Sequence, residues 1–365
     1  MQRLTNLQKE IVAWQSWFKT TVIESKYFKI ITRITWIISA CYVIYAGYQS
    51  IPYYTHISFG KKAFENGNYQ LAKSEFVLAL DEAKAKKFSI NDSRLANAYN
   101  NLAEVYRAEG QCQLALKYAQ KAYDLAKVSL KQQHQGRVFV TTNLAGINKD
   151  LAYYDKADML YREGISIWEK DIKIKEDSNL ASIYNGIAKL KIDQGQYQDA
   201  QKWLDKAFTM RKKLLGENDH AMAPLFDTKG NIEMKLGQYS QADKDFRQAW
   251  LLDETISGRE TPEVAVDIDN VATATGALGN HAEAEKLFLE ADRITKKTSG
   301  ENGIYRGRIL TNLGELYLAS KRPDLAKPVL EKALELRAQS LGRQHPYYVI
   351  TLNDLEKAKS NLNNK

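Results

Sequence analysis

Small and large apolar positions recur along most of the chain with a period of about 42 residues. One column of this repeat is always alanine: Ala72, Ala115, Ala157, Ala200, Ala242, Ala284 and Ala326. The positions seven residues later and twelve residues earlier are always Ala or Gly, and the position four residues later is mostly large and apolar. Small side chains let antiparallel helices approach closely, while larger ones fill the gaps between them. The pattern therefore predicts a stack of seven antiparallel helix pairs over 55–365.

Short turns separate the predicted helices. The motifs "GNYQLA" (67–72), "GQYQDA" (195–200) and "GQYSQA" (237–242) place a glycine just before a second helix. Glycine takes the left-handed backbone conformation that ends a helix at little cost. After Pro346 a mainly polar sequence predicts a capping helix over 346–362, because the last unit of a stack needs a polar outer face.

The periodic pattern resembles the tetratricopeptide repeat. Its second copy, "YNNLAEVYRAEGQCQLA", has the aromatic, leucine and alanine positions of that family, and the seventh copy keeps Leu310, Leu313, Gly314 and Tyr317. The 42-residue period and the loops "LGENDH" (215–220) and "LGRQHP" (341–346) are similar to the kinesin-light-chain subtype. The first and fifth copies match the first-helix pattern poorly. The resemblance implies an all-α, right-handed solenoid whose first helices line a concave groove for an extended peptide or a partner helix.

Asparagine is frequent fourteen residues before the alanine column, where the chain has Ser58, Asn101, Asn143, Gly186, Thr228, Asn270 and Asn312. The resemblance implies that such asparagines face the groove and bind the peptide backbone, and a carboxamide can both donate and accept. With the neighbouring Asn185, the predicted groove residues are Asn101, Asn143, Asn185, Asn270 and Asn312. The alternative is that these asparagines bond the adjacent repeat and bind nothing. Lys189 stands alone, so the basic clamp of chaperone-binding relatives is not assembled.

The first 54 residues have a different pattern. Apolar residues follow one helical stripe over 1–28 (Leu4, Leu7, Ile11, Trp14, Phe18 and Val22), which predicts an amphipathic helix on a membrane surface or against another helix. Residues 34–54 carry no charge, and about 20 residues cross a bilayer, so we predict a transmembrane helix over 29–54. Two alternatives are a buried core helix and a bacterial lipobox, "ISAC" (38–41), with a lipidated Cys41.

The net charge of +8 supports the membrane interpretation. Residues 1–33 contain six cations and two anions, which gives +4, and the remaining 46 cations and 42 anions give another +4. A nucleic-acid-binding protein would concentrate positive charge on its folded domain, so we predict no nucleic-acid partner. Cations before the span outnumber those just after it, which predicts a cytoplasmic N-terminus. A bacterial inner membrane with the repeats in the periplasm fits best.

The sequence contains no motif of catalysis or cofactor binding. Its five histidines are scattered, and Cys41 and Cys112 lie in different parts of the pattern. We therefore predict no enzyme activity, no cofactor and no metal site. The predicted function is a membrane-anchored scaffold or adaptor that binds a protein or peptide in its groove, as an assembly factor or chaperone-like accessory of a membrane complex. The alternative is a self-assembling structural protein whose homo-oligomerisation is its function.

Overall fold

The structure, a computed structural model, describes residues 13, 35–36, 51–85, 93–130, 135–170, 177–301 and 304–363. The chain divides into two compact units, 1–55 and 56–365. The few described residues of the first unit are helical. The predicted interfacial helix over 1–28 and nearly all of the predicted transmembrane helix over 29–54 lie outside the described residues. Within the described ranges, no helix has both the length and the apolar character needed to span a bilayer.

Besides the isolated helical residues 13, 35 and 36, the described part of the chain consists of fifteen α-helical segments and one short 3₁₀-helix, and it contains no strand. The α-helices are α1 (51–65), α2 (Tyr69–Ala85), α3 (Arg94–Ala108), α4 (Cys112–Ser129), α5 (Gln135–Asp150), α6 (Tyr154–Glu169), α7 (Ser178–Asp193), α8 (Tyr197–Leu215), α9 (Ala223–Lys235), α10 (Tyr239–Ser257), α11 (Pro262–Ala277), α12 (His281–Ser299), α13 (Ile304–Ala319), α14 (Pro323–Ser340) and α15 (Pro346–Asn363). The 3₁₀-helix, His220–Met222, precedes α9. The prediction of an all-helical repeat solenoid is confirmed.

The helices pack in the predicted pairs, from α1 with α2 to α13 with α14, and α15 packs on α14. Every alanine of the seven-member column is fully buried. Glycine replaces alanine where a large side chain lies opposite: a Cβ on Gly60 would lie 2.4 Å from the Phe76 ring, and one on Gly230 would lie 2.5 Å from Phe246. The first and fifth repeats therefore form despite their poor match to the pattern, because the missing methyl group makes room for the ring.

The turn inside each pair has the same backbone conformation in all seven repeats. The residue five positions before the buried alanine has a positive φ each time: Gly67, Gly110, Ala152, Gly195, Gly237, Gly279 and Lys321. In the second repeat, the Gly110 N–H donates to the Arg107 carbonyl over 3.0 Å and the Gln111 N–H donates to the Tyr106 carbonyl over 2.8 Å. These bonds satisfy carbonyls at the helix end. Five of these seven residues are glycine, which adopts a positive φ at little steric cost. The other two, Ala152 and Lys321, adopt it although they carry a Cβ.

Candidate binding face

The first helices of the pairs share one side of the stack. Helices α3, α5, α7, α9, α11 and α13 each contact the first helix of a neighbouring pair, which places them on the inner side of a curved array. We call the side chains that join these helices to one another, together with the charged groups beside them, the inner face. It corresponds to the groove that the sequence predicts.

Three of the predicted asparagines bond the preceding repeat. Asn143 Nδ2 donates to Asn100 Oδ1 over 2.9 Å, 43 residues earlier. The same spacing recurs where Asn270 Nδ2 donates to Asp227 Oδ1 over 2.8 Å. Asn312 Nδ2 likewise donates to Asp269 Oδ1 over 3.0 Å. These bonds form a side-chain ladder between first helices, which is the arrangement expected under the alternative interpretation of the row.

The other two predicted asparagines retain unused polar atoms. Asn101 is buried, and its Nδ2 has no hydrogen-bond partner in the described part of the chain. Asn185 Nδ2 donates to the Pro224 carbonyl over 3.2 Å, whereas its buried Oδ1 accepts from none of the described residues. An unpaired buried donor or acceptor costs free energy, so these two side chains contribute less to the stability of the stack than the three that join the ladder. Peptide binding by the five asparagines stays a prediction, and these two have the chemistry for it.

Ion pairs cover the inner face of the second to fourth repeats. Arg107 Nε lies 2.5 Å from Asp150 Oδ2, and Lys149 Nζ lies 3.4 Å from Asp193 Oδ2. Burial raises the pKa of the Asp150 carboxyl, but the Arg107 and Lys149 cations outweigh burial and hold that pKa below its usual range. Burial lowers the pKa of Lys189. This lysine stands alone, without the other cations of the basic clamp found in chaperone-binding relatives.

Carboxyl groups dominate the inner side of the fifth and sixth repeats. Asp269, fully buried, is paired with Arg308, whose Nε lies 2.8 Å from Asp269 Oδ2. Near it, burial and the neighbouring carboxyl groups raise the pKa of Asp253 to about 7 and that of Asp267 to about 10. Burial also raises the pKa of Asp227, although Lys189 and Arg308 act against the shift. Among the described residues, only acids are prominent among the charges that act on Asp253 and Asp267.

The C-terminal cap reaches back to the middle of the stack. His345 Nε2 lies 3.0 Å from the Asp150 carbonyl at the end of α5, and the Tyr347 hydroxyl donates to Asp193 Oδ1 over 2.9 Å. His345 Nδ1 accepts from the Tyr347 N–H over 3.2 Å, so both ring nitrogens are used when Nε2 carries the proton. We call these bonds the clasp. They show that the repeat stack curves back on itself.

Side chains able to do nucleophilic or metal chemistry are dispersed or buried. Burial raises the pKa of the Cys112 thiol to about 12, which keeps it protonated and unreactive. His56 pairs with Glu75 at 2.8 Å, and His281 Nδ1 lies 2.9 Å from the Ser320 hydroxyl, so both join neighbouring elements. No group of three or more metal-ligating side chains comes together among the described residues.

Searches against known proteins agree with the repeat architecture. A family model described as "Tetratricopeptide repeat" matches residues 94–170, 179–250, 260–339 and 305–364, together more than half of the chain. No curated protein matches the sequence.

Three solved structures are similar to the chain. BtubC (BKLC) from P. vanneervenii is 18% identical, with 66% of this chain and 93% of that chain covered and a TM-score of 0.45. The kinesin-light-chain-like repeats of Podosopora anserina are 22% identical, with coverages of 58% and 99% and a TM-score of 0.42.

A chain of the APC/C hetero-tetramer Cut9–Hcn1 is 14% identical to this chain, with a TM-score of 0.53. The match covers 80% of this chain and 48% of that chain, so this chain spans about half of the other chain's length. At this identity the likeness concerns the fold alone. The family model and the buried, periodic alanine column lead to one conclusion: the chain belongs to the tetratricopeptide repeat family.

Proposed function

We propose that this protein is a non-enzymatic scaffold that binds an extended segment of a partner protein along its inner face. The observation that carries this proposal is the membership of the tetratricopeptide repeat family together with the contacts that align successive first helices along one inner face. A peptide backbone presents a carbonyl and an N–H in alternation, so it can bond amide side chains along such a face whatever its own side chains are. Repeat stacks offer long concave surfaces suited to such a ligand.

A photo-crosslinking amino acid placed on the full-length chain tests this function in cells. At Glu104, one helical turn from Asn100 and Asn101, we expect crosslinked partners that mass spectrometry identifies. Substituting Asn101→Ala should reduce the yield of crosslinked partners about tenfold, because the ligand loses a hydrogen bond that the surrounding side chains shield from water.

The crosslinking experiment has a matched control. Lys202 lies on a second helix and its side chain is 73% exposed, so a crosslinker placed there should capture no specific partner. The substitution Gln120→Ala, at an exposed site, should leave the yield from position 104 unchanged. Equal capture from positions 104 and 202, or capture indifferent to Asn101→Ala, would remove the inner face as the binding site.

Membrane attachment is a second part of the proposal, and it is supported by the sequence. The uncharged run over 34–54 and the six cations before it favour a single span with a cytoplasmic N-terminus and the repeats on the other side of a bacterial inner membrane. In sealed spheroplasts, external protease should digest a C-terminal tag. A tag that survives until the inner membrane is lysed would reverse this topology.

Self-assembly remains the competing function. The amphipathic stripe over 1–28 is the feature that favours it, because such a stripe can pair with a second copy of itself. Light scattering of the full-length protein in detergent would show a discrete oligomer in that case, whereas the scaffold proposal is compatible with a monomer that captures a different protein.

A further inference from the structure

The seven turn residues with a positive φ share one conformation but have different surroundings. Gly67 and Gly110 are buried, and Ala152 is half-buried. The turn residues of the last four repeats are exposed: Gly195, Gly237, Gly279 and Lys321. Because the local structure is the same in all seven repeats, the difference comes from other parts of the chain that cover the first three turns.

The start of the sixth repeat covers the first turn. A Cβ on Gly67 would lie 3.0 Å from the side chain of Pro262, the first residue of α11. Tyr69, two residues after Gly67, is only 6% exposed. Burial raises the pKa of the Tyr69 hydroxyl, and the charge of Glu263, next to Pro262, raises this pKa further. The first turn is therefore packed against a helix start that lies five repeats further along the chain.

The same separation of 195 residues recurs at the next two turns. Tyr305, which follows Gly110 by 195 residues, lies near the end of α3, since Arg107 opposes the rise that burial causes in the pKa of the Tyr305 hydroxyl. His345 Nε2 lies 3.0 Å from the Asp150 carbonyl beside the third turn, again 195 residues away. We call these three contacts the seam. Because one offset recurs three times, the stack is a spiral whose successive coils touch, and not a closed ring.

None of the described residues covers the last four turns in this way. At three of them an added Cβ would meet no atom within 4 Å: Gly195, Gly237 and Gly279. Tyr239 has the position in the fifth repeat that Tyr69 has in the first, yet it is 38% exposed. Tyr239 and Leu278, which is also exposed, border a hollow of about 470 Å³. The same kind of turn that is covered in the first repeat is thus bare in the fifth.

The other half of the seam also has bare counterparts. Pro262 lies 22 residues before its column alanine, and it is buried against the first turn. The second to fifth repeats have polar residues at this position, and none of the four is buried: Ser93, Gln135, Ser178 and His220. The stack therefore presents bare turns on one edge and bare helix starts on the other, which are the two halves of a contact that it already makes within itself.

We propose that a second copy of this chain extends the seam, with its bare helix starts packed on the bare turns of the first copy. A second copy fits because it supplies the same helix starts with the same 42-residue spacing that covers the first three turns. This inference goes beyond the proposed function, since it uses the edges of the stack and not the asparagine row. The contact joins two different surfaces, and a spiral does not close, so copies add without a fixed limit.

Sedimentation velocity of the full-length protein in detergent tests this assembly. We expect the weight-average sedimentation coefficient to rise with protein concentration without a plateau at one size, because each added copy presents a new bare edge. The double substitution Tyr239→Lys and Leu278→Lys should abolish this rise, because the added ammonium groups would lose their water when the hollow is covered. Both side chains are exposed, so the variant should keep the fold of the repeat.

A matched variant controls for the added charge. Leu251 and Leu289 are exposed on α10 and α12, well past the turns at which these helices begin. The double substitution Leu251→Lys and Leu289→Lys therefore replaces as many apolar side chains with as many cations, and it should associate as the unchanged protein does.

A mixing experiment tests the asymmetry of the contact. The variant with lysine at 239 and 278 retains its bare helix starts, so it should still add to the unchanged protein and end each assembly. An equimolar mixture should then have a lower sedimentation coefficient than the unchanged protein at the same total concentration. Sedimentation that does not depend on concentration, or a rise that the 239/278 variant keeps, would overturn the seam as an interface. A discrete oligomer formed by both variants would overturn it too, and would favour pairing through 1–28.

Discussion

At the scale of single residues, the repeat depends on a backbone conformation that only glycine adopts freely. Seven equivalent turn residues have a positive φ, and at Ala152 and Lys321 the φ values are 60° and 57°. A Cβ in this region lies too close to the following carbonyl oxygen and costs roughly 1–2 kcal/mol. The cost is tolerated because the buried alanine and the packing of the two helices determine where the turn lies.

Ala152→Gly should therefore stabilise the protein. We expect the free energy of unfolding to rise by about 1 kcal/mol, because glycine relieves the strain of the left-handed conformation. The reverse change is Gly195→Ala, at the equivalent turn of the next repeat, where an added Cβ would meet no atom within 4 Å. It should lower the stability by about the same amount. Chemical denaturation of both variants measures the two values, and changes of the same sign would refute the backbone explanation.

At the scale of the helix, the side-chain ladder joins one repeat to the next. The sequence identifies the asparagine row but not the partners of its members, because the partner lies 43 residues earlier and the relative rotation of the two helices determines which atoms meet. Asp267 is the single acid at a position that is apolar in five other repeats, and this difference is visible in the sequence. The buried alanine column and the turns were predictable, since both follow from a period repeated seven times.

Asn312→Ala should destabilise the stack as well as any complex. Asn312 Nδ2 donates to Asp269, a carboxylate with no solvent exposure, and its loss leaves that acceptor with fewer donors. We expect a loss of about 1–3 kcal/mol in the free energy of unfolding. Asn101→Ala should have a smaller effect, since Asn101 Nδ2 has no partner among the described residues to lose. Thermal denaturation compares the two variants, and equal melting temperatures would mean that the ladder contributes little.

At the scale of the whole repeat stack, the clasp joins the C-terminal cap to the middle repeats. At the start of the C-terminal cap, His345 contacts Asp150 of α5, which lies 195 positions earlier in the sequence. Tyr347 contacts Asp193 of α7, which lies 154 positions earlier. No local pattern predicts this contact, because it results from small rotations between neighbouring pairs that accumulate over several repeats. The clasp holds the C-terminal repeat against the middle of the stack.

Acid should open the clasp through His345. Burial lowers the pKa of this imidazole, Arg337 lowers it further, and the bond to the Asp150 carbonyl and the charges of Asp150 and Asp193 oppose the shift. The neutral ring is therefore favoured in the folded state, so the unfolded state binds more protons below the ordinary histidine pKa. The clasp's contribution to stability is complete at neutral pH and is lost as the pH falls. Protonation of Nδ1 also removes the acceptor of the Tyr347 N–H.

Small-angle scattering can detect this opening. Between pH of about 7.5 and about 5, where an ordinary histidine takes up its proton, we expect the radius of gyration to increase. His345→Ala should be expanded at both values and should lose the pH-dependent part of the change. Tyr347→Phe removes the hydroxyl that donates to Asp193 and should expand the protein partially, whereas Tyr348→Phe, a change at the adjacent residue, should not. An unchanged radius in His345→Ala at neutral pH would show that the curvature is set by repeat packing alone.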